Sequence, residues 1–198
     1  QEIKEKNKTF DLLKPQTQTK ILYDRVGTVA NLTKVKTEPL STIEFKQAYH
    51  EIQRADYLQR LPKYDILKKE ADNAFFSKQI PLALLISEVE TIKPEVFENR
   101  QITKNNREQL VLDPAVSNAF QQHEIVLMAP LVSKSKNKTV EFILKDKNIF
   151  NTTSKTIQAI YISFTDNDLW LTVSVNQPIK VDFSTYGKKS ISFKIGCL

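Results

Sequence analysis

Glycine, histidine and cysteine are scarce in this chain, at three, two and one of 198 residues. Glycines at positions 27, 187 and 196 alone leave no glycine-rich loop to wrap a phosphate, and no G-x-S-x-G turn to raise a nucleophilic serine. One cysteine, Cys197, excludes an internal disulfide, so stability must come from burial. The only residue near Cys197 in sequence that could activate a thiol is Lys194, and the thiol reads as inert or as cut off from its natural context. His50 lies in a helical pattern, where a packed or exposed imidazole is expected. His123 has Glu124 beside it but no second histidine or cysteine at metal-ligand spacing. No apolar run approaches the roughly 20 residues of a membrane-spanning helix, so no such helix is expected.

What is present is the composition of a folded protein, 40% hydrophobic and 26% charged. The length suits one large domain or two small ones. The net charge of +6 raises nucleic acid or an anionic surface as a partner, but the lysines are scattered among 23 acidic residues. The densest basic stretch, "SKSKNK", has Lys134, Lys136 and Lys138 at alternate positions. It reads as a solvated face or a guarded sheet edge, because no interleaved aromatics or recognition helix accompany it, and no nucleic-acid partner is expected. Gln1 stands where an initiator Met is expected, and the only Met is Met128. Removal of a secretory signal peptide produces such a start, and so does trimming of a recombinant chain; export is the expectation.

Along the chain, residues 1–40 are polar with short apolar clusters and read as an extended arm, with "ILYDRV" as a short strand. "STIEF" places Ser41 three residues before Glu44, the spacing of a capping box that starts a helix. Phe45, Ala48, Tyr49, Ile52 and Ala55 then share one helical stripe, and Pro62 predicts a stop near Leu61. A second helix is predicted over 63–76, with Tyr64, Leu67, Ala71, Ala74 and Phe75 inward. Residues 80–97 read as one strand in which Leu82, Leu84 and Ile86 alternate, and 98–114 as a linker or exposed hairpin. Residues 41–110 thus form a helical hairpin plus strand.

From 115 to 198 the pattern becomes short alternating runs: Ile125 and Leu127; Val140, Phe142 and Leu144; Ile160, Ile162 and Phe164; Leu169, Leu171, Val173 and Val175; Ile179, Val181 and Phe183; Ile191, Phe193 and Ile195. Six such runs predict an antiparallel β-sandwich, each strand with one core face and one wet face. The chain as a whole reads as α+β, and the last run is expected to end at an exposed sheet edge. "IYISFTDNDLWLTV" followed by "VDFSTYGKKSISFKI" resembles the polycystic kidney disease (PKD) type of immunoglobulin-like domain. In that family an aromatic strand leads into an acidic, glycine-containing turn, then a strand, then a tyrosine and glycine before the final strand. Here "FTDND" departs from the family's "FGDG" and lacks both glycines. Together with "ILYDRV" and "QAYHEIQRADYLQRLP", the chain also looks like the N-terminal part of large exported Bacteroidetes proteins. The resemblance implies a spacer, adhesion module or accessory domain at the cell surface or in secretion, one that contacts a protein, a glycan or further domains of the same chain. It implies no enzyme and no cofactor. The alternative it leaves is the accessory N-terminal region of a secreted hydrolase.

Two places carry candidate chemistry. Asp166, Asn167 and Asp168 offer hard oxygen ligands for calcium, but without EF-hand spacing or a distal bidentate Glu, and a hairpin corner explains the same residues. Trp170 shares its alternation with Thr172 and Ser174, which turns it away from Leu169 and Leu171. With Tyr161 it is the candidate ligand-binding surface, unless it packs against the helical half or another domain. The acidic pairs Glu88 and Glu90, Asp65 and Glu70, and Asp166 and Asp168 have no separation that the sequence defines, which acid–base chemistry requires. The sequons at Asn7, Asn31, Asn137 and Asn151 would mark surface loops in a eukaryotic secretory protein.

Overall fold

In the computed structural model, residues 41–56, 59–77, 79–164 and 169–198 are described, without the side chains of 75–77. The expected arm over 1–40 with its "ILYDRV" strand and the sequons Asn7 and Asn31 lie outside the described residues, as do Asp166, Asn167, Asp168 and the side chain of Phe75.

The first helix, α1 (Thr42–Ala55), begins at the expected capping box: the Ser41 hydroxyl accepts the Glu44 amide and the Glu44 carboxylate accepts the Ser41 amide. It ends six residues before the predicted stop. The terminator is Asp56 rather than Pro62: its buried carboxylate accepts the Leu61 amide at 2.8 Å, and the following turn has Gln59 at φ 54°. A side chain that bonds backbone on the far side of a turn offers the chain an alternative to continued helix. Helix α2 (Asp65–Ser77) follows, and Tyr64, Leu67 and Ala74 are buried as the helical spacing predicted.

Residues 80–97 are not one strand. The strand β1 (Gln79–Ile92) stops at Lys93, and Pro94 opens a single helical turn, α3 (Pro94–Glu98), the position where a missing amide costs nothing. The short strands β2 (Ile102–Lys104) and β3 (Leu110–Leu112) form the expected hairpin, with a small core of its own made by Val96, Ile102, Leu110, Leu112 and Ala119.

Strands β4 (Phe120–Pro130), β5 (Thr139–Asn151) and β8 (Pro178–Asp182) join β1 in a four-stranded sheet of order β4-β1-β5-β8. A second sheet has the order β7-β6-β9, from β6 (Ile157–Phe164), β7 (Leu171–Thr172) and β9 (Ile191–Cys197). All pairings are antiparallel except β1 with β5, which is parallel. That pair departs from the all-antiparallel expectation. It crosses the expected boundary at 110–115, because β1 hydrogen-bonds β4 on one side and β5 on the other.

The result is mixed α+β in three layers. On one face of β1, Leu82, Leu84 and Ile86 meet Met128, Phe142 and Leu144 from their own sheet and Ile160, Ile162 and Phe164 from the second sheet. On the other face, Ala83, Leu85 and Val89, with Ile125, Leu127 and Ala129 of β4, pack against Phe45, Tyr49, Ile52 and Leu67 of the helices. Burial on both faces is the reason "PLALLISEV" is apolar almost without interruption. Of the run expected over 169–175 only Leu171–Thr172 is strand, and the Val173 amide also donates to the Ile160 carbonyl of β6 at 2.8 Å. Leu169 is exposed, whereas Val173 is buried in the sandwich core. Among the described strands β9 pairs with β6 alone, the sheet-edge position expected for the last run.

Candidate functional site

On β6 the period of two sends Ile160, Ile162 and Phe164 inward and Tyr161 outward. Tyr161 lies opposite Thr172 of β7 and opposite Lys194 of β9, so three side chains form a row across the outer face of the small sheet. Trp170, two residues before Thr172, is half-buried, with the Lys194 ammonium 3.9 Å from its ring centroid. An ammonium over an indole face is worth about 0.5–1 kcal/mol when exposed and orients both groups. Lys194 is exposed, and none of the ion pairs among the described residues involves it. The structure therefore joins the two ligand-binding candidates, Trp170 and Tyr161, through a lysine that sequence reasoning had weighed only as a neighbour of Cys197. The alternation in "SISFKI" turns Lys194 outward, but only the strand order puts it beside Tyr161.

The other candidates are dispersed or occupied by local partners. His50 rests on the Tyr64 ring at 5.0 Å, and burial, followed by the charges of Lys46 and Arg54, pushes its pKa down. His123 shares a hydrogen bond of 2.8 Å with Thr91. Glu88 sits directly opposite Glu124, and this like-charge pair is relieved by Lys155, which bonds Glu124 and has its own pKa raised chiefly by that bond. Cys197 is free and packs against the sandwich core. Among the described residues no group of three or more His, Cys, Asp or Glu side chains could hold a metal. The same residues include no helix long and apolar enough to cross a membrane.

Glu70, whose spacing to Asp65 the sequence leaves undefined, is the hub of an ion cluster. Its nearly buried carboxylate takes Lys145 at 3.1 Å and Lys147 from the neighbouring strand. These lysines project from an irregularity in β5: Leu82 pairs with Leu144, but Leu84 pairs with Ile149, leaving Lys145, Asp146, Lys147 and Asn148 as an inserted loop. Asn148 is fully buried there and donates to the Leu82 carbonyl at 3.2 Å. The cluster ties α2 to the central sheet and reads as a clamp.

No protein-family model, curated protein or solved structure matches the chain.

Proposed function

We propose that the chain is a non-catalytic binding module of an exported or cell-surface protein, with a PKD-type immunoglobulin-like second half. Trp170, Tyr161 and Lys194 are its contact surface for a protein, a glycan or a further domain of the same chain. The observation that carries this reading is the row Thr172–Tyr161–Lys194 with Trp170 beneath the lysine, on the sheet face that points away from the sandwich core. Aromatic rings offer large, stiff contact area at low entropic cost, and an ammonium beside them adds a donor with no angular demand. The PKD-like reading is supported by two sheets facing across an apolar core and by the turn after Tyr186, where Gly187 holds φ 128°. An angle of that size suits glycine, and the tyrosine–glycine order is the one the family carries before its final strand.

The test compares the full chain with Trp170→Ala on glycan and extracellular-protein arrays and in thermal melts. Binding should be lost while stability falls by less than about 2 kcal/mol, the upper range for a partly shielded cation–π pair. A loss of about 3–5 kcal/mol, the cost of emptying a buried tryptophan site, would make Trp170 a core residue and end the proposal.

A further inference from the structure

A separate surface forms where the β4–β5 loop (131–138) meets the β8–β9 loop (183–190). The two are stitched by the Phe183 amide donating to the Lys138 carbonyl at 3.0 Å and by the Lys138 ammonium donating to the Ser184 carbonyl at 3.0 Å. They gather Lys134, Lys136, Lys138, Lys188 and Lys189, the first four exposed. Asp182, at the start of the second loop, accepts a hydrogen bond from the Thr139 hydroxyl. Tyr186 is 70% exposed at the same place, with the Lys138 ammonium 5.0 Å from its ring centroid. Sequence alone left "SKSKNK" without an aromatic partner; the tertiary structure brings one from residues fifty positions away, with two more lysines.

We infer that this loop end is a binding surface for an acidic polysaccharide, one bearing carboxylate or sulfate groups. Excess positive charge on neighbouring loops concentrates a polyanion. The exposed Ser133, Ser135, Asn137, Ser184 and Thr185 carry hydroxyl and amide groups suited to sugar hydroxyls, and Tyr186 supplies a ring for a sugar face. A membrane surface fits less well, because these loops carry no exposed aliphatic cluster to insert. Duplex nucleic acid fits less well too, because the surface has no arginine and no helix or ribbon to enter a groove.

The experiment immobilises heparin, polygalacturonate, neutral dextran and duplex DNA, and adds vesicles containing anionic phospholipid, each probed with the full chain. Heparin or polygalacturonate should be bound, with affinity falling about tenfold or more between 50 and 200 mM salt, the behaviour of contacts that release counterions. Lys136→Glu/Lys188→Glu should weaken binding at least about tenfold, whereas the same double charge change at the exposed Lys69, on α2, and Lys104, on the β2–β3 hairpin, should leave most of it. Circular dichroism confirms that the variants fold. The inference is overturned by no binding to either acidic polysaccharide at about 50 mM salt, by equal binding to dextran, by tighter binding to DNA or vesicles, or by equal losses from the Lys69/Lys104 and the Lys136/Lys188 changes.

Discussion

At the scale of single residues, Glu70 shows how a charge is kept inside a protein. Burial pushes its carboxyl toward the neutral form, but hydrogen bonds and charge from Lys147 and Lys145 outweigh that and hold its pKa below the ordinary value of 4.5. A depressed folded-state pKa stabilises the fold above the unfolded pKa, and that contribution disappears as pH falls through the folded value. Stability should therefore decline on acidification below about pH 4.5, and Glu70→Gln should flatten part of that decline in urea titrations at stepped pH. At neutral pH the same substitution should cost about 1–2 kcal/mol, less than for a fully enclosed pair, because both lysines keep contact with solvent. An unchanged acid limb in Glu70→Gln would show that other carboxylates dominate it. Nothing near Glu70 in the sequence announced this role: its partners lie some 75 positions away and meet it only through the bulge.

The element with the most consequence is β5, whose irregularity serves two purposes. It swings Lys145 and Lys147 toward α2 and inserts the fully buried Asn148, whose side-chain amide donates to the Leu82 carbonyl beside the break in the ladder. Asn148→Ala should thus destabilise by about 1–3 kcal/mol, more than a typical surface change, as measured by denaturant midpoint at constant m-value. An effect below about 0.5 kcal/mol, the surface-substitution range, would mean that the Leu82 carbonyl is satisfied without it. The polar run "KDKN" between apolar stretches was visible in the sequence, yet nothing local distinguishes a bulge from the end of a strand. For α1 the reverse holds. Its start was legible because a capping box is purely local, while its end was misplaced because Asp56 acts through a turn and Pro62 was the louder signal.

At the scale of the whole molecule, β1 is the shared spine. It separates β4 from β5, is buried on both faces and supplies apolar side chains to two cores at once. A fragment of residues 115–198 would lose the middle strand of its larger sheet and leave the inner edges of β4 and β5 without partners. That fragment should lack dispersed amide resonances in an NMR spectrum and should bind the hydrophobic dye ANS, while the full chain should unfold in one transition by circular dichroism and by fluorescence of Trp170. A folded, cooperatively melting fragment would show that the β-rich half is autonomous. The parallel β1–β5 pairing joins residues some 60 positions apart, so no hairpin signal could have revealed it.

Much of this protein was written locally in its residues. Alternation specified which side chains of β5, β6 and β9 face the core, and helical spacing specified the inner stripes of α1 and α2. Periods of two and of three to four are properties of a single segment, and neighbouring residues carry them without reference to the rest of the chain. Strand order, the double burial of β1, the Glu70 clamp and the meeting of Trp170 with Lys194 belong to tertiary structure. Each depends on which distant segments lie side by side, and that is decided by the joint packing of two cores.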